Sequence, residues 1–257
     1  METILVERDD RGVVTVTLNR PEKKNAANGK MWDELHAVFT EVADRDTDRV
    51  LVITGAGDAF CSGADLSSVD ELARSGMTRM RHIGLTALAL HRLAKPTIAK
   101  VNGVAAGAGC NMALGCDLVV ASDTARFSEI FARRGLTIDF GGSWLLPRIV
   151  GLHKAKELAL FAEVISAKEA EAMGLVNRVV PAGELDAFVD DWAGRLAAGP
   201  PVALSMTKTL LNNAFMVSME QAIEDEARTQ NVNFGTSDFR EAVSAFLEKR
   251  DPRFEGK

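Results

Sequence analysis

Two segments of the chain combine small side chains with a position directly after an apolar, strand-like run. The first reads Ala59-Phe60-Cys61-Ser62-Gly63-Ala64-Asp65-Leu66, and the second covers residues 101–111 and includes Ala108. Small residues let a ligand approach the backbone closely, and free N–H groups at the start of a helix stabilise a developing negative charge. Two such donors that converge on one carbonyl oxygen would form an oxyanion hole. Tight packing of a helix on a strand explains the same residues, so composition alone leaves both interpretations open.

Other motifs with known chemistry fail in detail. Gly55-Ala56-Gly57 follows a strand pattern, but Phe60 stands where a dinucleotide-binding turn needs glycine or alanine, and Met112 stands there in the second glycine cluster. No pair of histidines has metal-ligand spacing, so we expect no metal site; the histidines are His36, His82, His91 and His153. Without a G-x-S-x-G elbow, Ser143 is interpreted as a helix N-cap and not as a nucleophile.

Hydrophobic spacing predicts the elements that must position these segments. Strand patterns occur at residues 13–18, 50–54, 97–101 and 117–121, and residues 55–65 are expected to form a loop. Helical patterns occur at residues 31–42 and 80–90, and another helix is expected to start near Gly107. Strands that alternate with helices in this way favour an α/β architecture with mostly parallel pairing.

The strand pattern fades after about residue 151. Ser166-x-x-Glu169 is a capping box that predicts a short helix ending at Gly174, and residues 175–180 form one late strand pattern. Helical spacing then continues from Pro201 to about Lys249. We therefore expect an α/β core over residues 1–200 and a helical C-terminal subdomain over residues 201–257.

Composition bounds the class of protein. The 257 residues are 47% hydrophobic and 26% charged, with 30 basic against 36 acidic side chains and a net charge of −6, so a nucleic-acid scaffold is not expected. Cysteines at 61, 110 and 116 form no C-x-x-C pair, and the N-terminus has no secretory pattern, which favours a cytoplasmic location. The apolar run at 101–121 is interrupted by Asn102, Asn111 and Asp117, so no membrane helix is expected.

Five separated motifs together resemble the crotonase (enoyl-CoA hydratase/isomerase) superfamily in order and spacing. They are Asn19-Arg20-Pro21-Glu22-Lys23-Lys24-Asn25-Ala26, residues 61–66, residues 101–117, residues 125–148 and Phe246-Leu247-Glu248-Lys249-Arg250. The run Gly141-Gly142-Ser143-Trp144-Leu145-Leu146-Pro147-Arg148 is similar in particular to the branch of the ring-epoxide phenylacetyl-CoA isomerase and the enoyl-CoA isomerases. The resemblance covers nearly the whole chain.

The resemblance implies a fold, an assembly and a ligand. The fold would be a crotonase-like α/β spiral of ββα units with a C-terminal helical trimerisation region, assembled as a homotrimer or a dimer of trimers. Apolar positions of the C-terminal helices that would need covering are Leu210, Leu211, Phe215 and Met219. The substrate would be an acyl-CoA thioester, with coenzyme A as part of the substrate and no other cofactor, and with no nucleic-acid or membrane partner.

By motif position, the resemblance also implies site residues. The thioester oxygen would lie between the N–H groups of Ala64 and Ala108. The path of pantetheine and adenine would be lined by Ser62, Ala64, Asp65 and Leu66. The nucleotide end would lie near Lys23, Lys24 and Ala26. Two lysines on a turn suit phosphates, although paired lysines are also common on solvated surfaces.

The sequence departs from the family's hydratases at two positions. Those enzymes use two glutamates to hold and activate water, and a gapless alignment puts Asn111 and Phe131 at the corresponding places beside the substrate. Neither an amide nor a phenyl ring is a base at neutral pH. Water addition by the two-carboxylate route therefore lacks its usual groups.

Asp139 offers a different chemistry. Some isomerases of the family carry an acidic residue at this motif position, and one carboxylate suffices to remove a proton beside a thioester and return it further along the chain. Apolar Ile138 and Phe140 on either side would raise its pKa towards the working range. A capping or loop role for Asp139 is the alternative, and Glu129 is the rival base, which a two-residue backbone shift would bring to the place of Phe131.

Three functions follow from these residues. Isomerisation of an unsaturated acyl-CoA with Asp139 as base is the leading one. Hydration of a 2-enoyl-CoA through Glu129 or another carboxylate is the second. Acyl-CoA binding without catalysis is the third, since both expected glutamates are missing.

Overall fold

The computed structural model describes residues 1–67 and 76–257. Over these residues the expected alternation of strands and helices is confirmed. The helices are α1 Gly29–Asp44, α2 Gly76–Arg92, α3 Ala108–Leu114, α4 Gly142–Phe161, α5 Ala167–Ala172, α6 Leu185–Ala197, α7 Pro201–Asn213, α8 Met219–Phe234 and α9 Ser237–Glu248. Short 3₁₀ turns lie at Pro21–Lys23, Ile130–Arg134 and Ala182–Glu184.

The larger of the two sheets has six described strands. In spatial order its described strands are β1 Ile4–Arg8, β2 Val13–Leu18, β3 Val50–Gly55, β5 Thr97–Val101, β7 Leu118–Ser122 and β10 Arg178–Val180. Only the β1–β2 pair is antiparallel within this described set, and the later pairs are parallel as the sequence predicts.

A smaller sheet consists of very short strands. These are β4 Ala59–Cys61, β6 Val104–Ala106, β8 Arg126–Ser128 and β9 Ile165–Ser166, in that spatial order. The chain repeatedly leaves a strand of the larger sheet, makes one strand of the smaller sheet and then forms a helix, which is a ββα unit. β4, β6 and β8 are parallel neighbours, so the turns that follow them emerge at the same edge.

The larger sheet is buried on both faces. Alternate residues of β3 divide between two cores: Leu51 and Ile53 pack into the main core, and Val50 and Val52 pack under α6. Burial of both faces is typical of parallel sheets covered by helices, and it explains why β3 is apolar throughout. Each fully buried side chain of this size contributes roughly 1.5–3 kcal/mol of transfer free energy to folding.

The C-terminal helices α7 to α9 follow Pro200, as the sequence predicts. Lys208 of α7 holds the core through an ion pair of 2.7 Å with Asp117 and a hydrogen bond of 3.0 Å donated to the carbonyl of Lys95. Several large apolar side chains of this region are exposed, among them Leu211, Phe215 and Met219, whereas Leu210 is half-buried. The division at residue 200 into two units stays a prediction. Over the described residues, the helices are all too short or too polar to cross a membrane.

Three local expectations need correction. Residues 55–65 were expected to be a loop, but they contain β4, which is too short to show a periodic pattern. Residues 175–180 were expected to form one strand, but pairing begins only at Arg178. Ser143 is not an N-cap, because Gly141 takes that position in a left-handed conformation and Ser143 lies in the first turn of α4.

Candidate active site

The two small-residue turns lie against each other because β4 and β6 are adjacent. Gly63 has φ +102°, and a Cβ added to it would lie 2.9 Å from the carbonyl oxygen of Ala106 and 3.8 Å from the nitrogen of Ala108. Only glycine adopts this backbone conformation without strain at so close a contact. The close packing that the sequence suggested is therefore present, and it brings the residues before and after Gly63 next to the start of α3.

The backbone donors of Ala64 and Ala108 are both turned away from regular pairing. Ala64 forms a parallel bridge with Ala27, in which the Ala27 N–H donates to Gly63 O (2.8 Å) and the Asp65 N–H donates to Ala27 O (2.9 Å). The Ala64 N–H therefore faces the side opposite to Ala27. Ala108 is the first residue of α3, so its N–H has no acceptor within the helix.

The lysine turn is tied to the same segment. Ser62 donates its backbone N–H to Lys24 O (3.0 Å) and its hydroxyl to Lys23 O (3.2 Å). Both lysine side chains are exposed, and Lys24 pairs with the exposed Asp58. The side-chain amide of Asn25 fixes the turn by donating hydrogen bonds to Ala56 O (2.9 Å) and Ala59 O (2.8 Å). The structure thus brings together Lys23, Lys24 and Ser62, which the resemblance assigned to one binding path.

The other residues assigned to that path, Asp65, Ala26 and Leu66, differ in their exposure and in their hydrogen bonds. The Asp65 carboxylate accepts hydrogen bonds from the Ser67 hydroxyl (2.6 Å) and from Arg20 (2.9 Å), and these contacts lower the pKa of Asp65 to about 2. The Asp65 carboxylate therefore links the segment after β4 to Arg20. Ala26 is buried, and Leu66 is 44% exposed.

Asp139 lies in the turn that begins α4. Its carbonyl oxygen accepts from the Gly142 N–H (2.9 Å) and from the Asn111 side-chain amide (2.9 Å). The next residue, Phe140, has a left-handed φ of +49° and is buried against the ring of Trp32, with the ring centroids 5.4 Å apart. This buried anchor and the two hydrogen bonds fix the backbone from which the Asp139 side chain extends.

Asn111 connects α3 to this turn. Its side chain is fully buried, and besides the bond to Asp139 O it donates to Glu129 Oε2 (3.3 Å). A Cβ added to Gly142 would lie only 2.3–2.5 Å from the Asn111 side chain, so the glycine makes room for the amide. Phe131 is also buried, and a Cβ added to Gly107 would lie 3.6 Å from its ring. Glu129 contacts this cluster through the hydrogen bond that its carboxylate accepts from Asn111.

Burial raises the pKa of both carboxyl groups. The pKa of Asp139 is raised by burial to about 6, against a smaller lowering by the positive charge of Arg79. Burial raises the pKa of Glu129 to about 7; hydrogen bonds from Cys110 and Asn111 lower it, and the charge of Asp139 raises it further. The predicted raising of the Asp139 pKa is confirmed in direction, and burial is its main cause.

Sequence reasoning missed two contributors to this cluster. Cys110 lies beside the Glu129 carboxyl group, and Arg79 of α2 faces Asp139. A signal for the cluster was present, because Asn111 is the only strongly polar residue of the otherwise apolar α3, and a buried amide must find hydrogen-bond partners. In the described ranges, no group of three or more His, Cys, Asp or Glu side chains is arranged to hold a metal ion.

Comparisons with known proteins agree with this fold. The model of the enoyl-CoA hydratase/isomerase family matches residues 8–257. The chain is 39% identical to the 1,2-epoxyphenylacetyl-CoA isomerase of Escherichia coli over 100% of both chains. It is 34% identical to the short-chain-enoyl-CoA hydratase of Clostridium acetobutylicum, over 97% of this chain and 96% of that protein.

Solved structures give the same result. A crystal structure of an enoyl-CoA hydratase from Bacillus anthracis superimposes with a TM-score of 0.96 at 31% identity and covers 100% of both chains. The chain belongs to the enoyl-CoA hydratase/isomerase family and has the crotonase fold that its motifs predicted. It is an enzyme of that family, whose relatives include both isomerases and hydratases.

Proposed function

We propose that the protein is an isomerase that moves the double bond of an unsaturated acyl-CoA thioester. The Asp139 carboxylate removes a proton from the carbon beside the thioester. The electrons of that C–H bond form a double bond to the carbonyl carbon, and the carbonyl π electrons move onto the oxygen. The resulting enolate oxygen is stabilised by the N–H groups of Ala64 and Ala108. The protonated Asp139 then returns the proton to the far end of the conjugated system, and the double bond has moved by one position.

The observation that carries this proposal is the state of Asp139. It is a largely buried carboxyl group whose pKa is about 6, so it is ionised at neutral pH and still basic enough to accept a proton. Its backbone is held by Asn111, a residue of the same short helix whose first residue is Ala108. A base and an oxyanion donor on linked elements suit proton transfer beside a thioester.

Support for a CoA thioester comes from the other end of the site. The exposed Lys23 and Lys24 lie on the turn that Ser62 holds against the segment containing Ala64. Lysine side chains on a turn suit the phosphates of coenzyme A, and two backbone donors suit the thioester oxygen. Relatives named for CoA substrates, including an epoxyphenylacetyl-CoA isomerase, support the same ligand class.

A turnover comparison tests the proposed reaction. A 3-enoyl-CoA and a 2-enoyl-CoA of equal chain length are given to the enzyme under identical conditions, and each product is identified by mass and ultraviolet absorbance. We expect the 3-enoyl-CoA to become the conjugated 2-enoyl-CoA, and the 2-enoyl-CoA to gain little or no water. Rapid formation of a 3-hydroxyacyl-CoA without isomerisation would overturn the proposal.

Hydration is the second candidate, favoured by one observation. Glu129 and Asp139 are two carboxyl groups of raised pKa that interact with each other, and hydratases need one group to activate water and another to deliver a proton. The same turnover comparison separates this reaction from isomerisation. Binding without turnover, the third alternative, would give no product from either substrate.

We also propose that the chain forms a trimer or a multiple of it. The exposed fractions of Leu211, Phe215 and Met219 are 66%, 71% and 76%, which is unusual for large apolar side chains so close together in the chain. Light scattering at micromolar protein is expected to give three or six times the mass of one chain. A stable monomer would contradict the proposal.

A further inference from the structure

Glu129 is a buried carboxyl group that the isomerisation step does not use. Its residue is only 3% exposed. Among residues 1–67 and 76–257, its hydrogen-bond donors are the amide of Asn111 and the thiol of Cys110, and neither of these is a cation. A buried carboxylate without a cation is unfavourable, and such a group tends to hold its proton.

A single amide joins Glu129 to Asp139. The Nδ2 atom of Asn111 donates to Glu129 Oε2 (3.3 Å) and to the carbonyl oxygen of Asp139 (2.9 Å), so both of its hydrogens are used. The backbone of Gly142 packs closely against this amide, because a Cβ at that position would overlap it. The position of Asn111 therefore depends on Glu129, and the turn that carries Asp139 depends on Asn111.

The cluster has more acceptors than donors. Asn111 Oδ1, Glu129 Oε1 and Asp139 Oδ1 are buried, and none of them accepts a hydrogen bond from a described residue. A proton on one carboxyl oxygen turns an acceptor into a donor and reduces this excess. Of the two carboxyl groups, Glu129 is the deeper and Asp139 faces the positive charge of Arg79, so the proton belongs on Glu129.

We propose that Glu129 is a positioning residue which works as a neutral carboxylic acid: it holds the Asn111 amide that fixes Asp139, and it leaves Asp139 as the single negative charge of the site. This inference rests on the proposed isomerisation. The groups that face Glu129 are Cys110 of α3 and Asp139 of the turn before α4, and Asp139 in turn faces Arg79 of α2.

A consequence concerns the alkaline side of the pH range. Once Glu129 loses its proton, two negative charges adjoin the place where the enolate forms, and a further negative charge there is unfavourable. The pKa of Glu129 is about 7, so this loss falls close to neutral pH. Isomerisation should therefore rise as Asp139 ionises and fall again as Glu129 ionises.

The test is the pH dependence of kcat/KM for a 3-enoyl-CoA in the wild type and in Glu129→Gln. Glutamine keeps an acceptor for Asn111 but cannot ionise. The wild type is expected to fall by ~10-fold for each pH unit above the titration of Glu129, giving a bell-shaped profile. Glu129→Gln is expected to keep the acidic rise and to stay within about two-fold of its maximum on the alkaline side. The same alkaline fall in both proteins would overturn the inference.

A second readout does not depend on activity. Infrared spectroscopy of the protein without substrate is expected to show the band of a protonated carboxyl group that titrates near pH 7, where the pKa of Glu129 lies. The band should be absent from Glu129→Gln and present in Asp139→Asn and in Glu157→Gln, a control at an exposed residue paired with Lys154. A band that still titrates near pH 7 in Glu129→Gln would overturn the assignment; the Asp139 carboxyl group, with a pKa of about 6, gives its own band at lower pH in that variant.

The two proposals fail in different ways. If Asp139→Asn keeps full isomerase activity, the proposed function is wrong. If Asp139→Asn is inactive while Glu129→Gln shows the wild-type pH profile, only the role of Glu129 is wrong. Should Glu129→Gln not fold, the infrared titration of Asp139→Asn, in which Asp139 no longer contributes a carboxyl band, still decides whether Glu129 holds a proton near neutrality.

Discussion

The two ends of the site are built in opposite ways. The proposed nucleotide end, around Lys23, Lys24 and Ser62, exposes its charges and satisfies its backbone through hydrogen bonds. The proposed base end, around Asn111, Glu129 and Asp139, is largely buried, and each of its three side chains has a buried oxygen without a donor among the described residues. The lysine end is therefore solvated surface, whereas at the other end the burial of two carboxyl groups is electrostatically unfavourable.

This difference separates binding from chemistry. An exposed charge contributes at most about 1 kcal/mol to an interaction, because water and salt screen it. A buried carboxyl group with a raised pKa is costly for folding, and general-base catalysis by such a group contributes roughly 10²–10⁴ in rate. Substitutions at the base end should therefore change rate by much more than substitutions at the nucleotide end change affinity.

The largest expected effect comes from Asp139→Asn. The change keeps the size and the hydrogen bonding of the side chain and removes its basicity. We expect the kcat for a 3-enoyl-CoA to fall by roughly 10²-fold or more, with little change in acyl-CoA affinity measured by calorimetry. Glu129→Gln, assayed near pH 6.5, is the matched control and should lose much less. Full activity of Asp139→Asn with an inactive Glu129→Gln would instead favour hydration through Glu129.

The next effect is on stability. The pKa of Glu129 is about 7 in the folded protein and 4.5 in an ordinary environment, so the folded state binds the proton more tightly than the unfolded state. Its contribution to stability is complete below pH 4.5 and is lost as the pH rises through 7. Urea unfolding should show that the wild type loses on the order of 2 kcal/mol more than Glu129→Gln between pH 5 and pH 8. Equal losses in both proteins would show that Glu129 is not held neutral.

A smaller effect is expected where the two turns meet. Gly63→Ala forces a side chain into a left-handed conformation and within 2.9 Å of the Ala106 carbonyl, which should displace the neighbouring Ala64 N–H. We expect kcat/KM to fall by about 10-fold, in line with ~1–3 kcal/mol of local strain. Gly84→Ala in α2 is the control, since a Cβ there meets nothing within 4 Å. Similar activities of the two variants would weaken the oxyanion-hole assignment.

The smallest effect is expected at the nucleotide end. Lys23→Ala and Lys24→Ala should raise the KM for an acyl-CoA by about 3-fold each and leave kcat unchanged, because each removes one exposed charge. A pantetheine thioester, which lacks the nucleotide, should be turned over equally by wild type and variants. A fall in kcat instead would mean that these residues act on the chemistry, and the contrast between the two ends would fail.

The strands and helices that carry a long periodic pattern could be predicted from the sequence. β2, β3, β5 and β7 and helices α1 and α2 lie where hydrophobic spacing put them. The smaller sheet could not be predicted, because its strands have two or three residues and no alternation can be seen over so short a length. It is this sheet that brings Gly63 to the start of α3.

The base end was only partly predictable. Asp139 and its raised pKa followed from the motif and from its apolar neighbours. Asn111 donates a hydrogen bond to the carbonyl of Asp139, 28 positions further along the chain. The same amide donates to Glu129, 18 positions further along. Such contacts depend on the packing of α3 against two separate turns, which no local pattern in the sequence reports.

The most direct test of the account follows hydrogen at the carbon beside the thioester. A 3-enoyl-CoA is incubated for a prolonged time in D₂O with wild type, Glu129→Gln or Asp139→Asn, and the recovered thioesters are analysed by mass and NMR. If Asp139 is the base, wild type and Glu129→Gln introduce deuterium at that carbon and at the far end of the double-bond system, and Asp139→Asn labels both positions at least roughly 10²-fold more slowly. Deuterium uptake by Asp139→Asn at the wild-type rate would contradict the account.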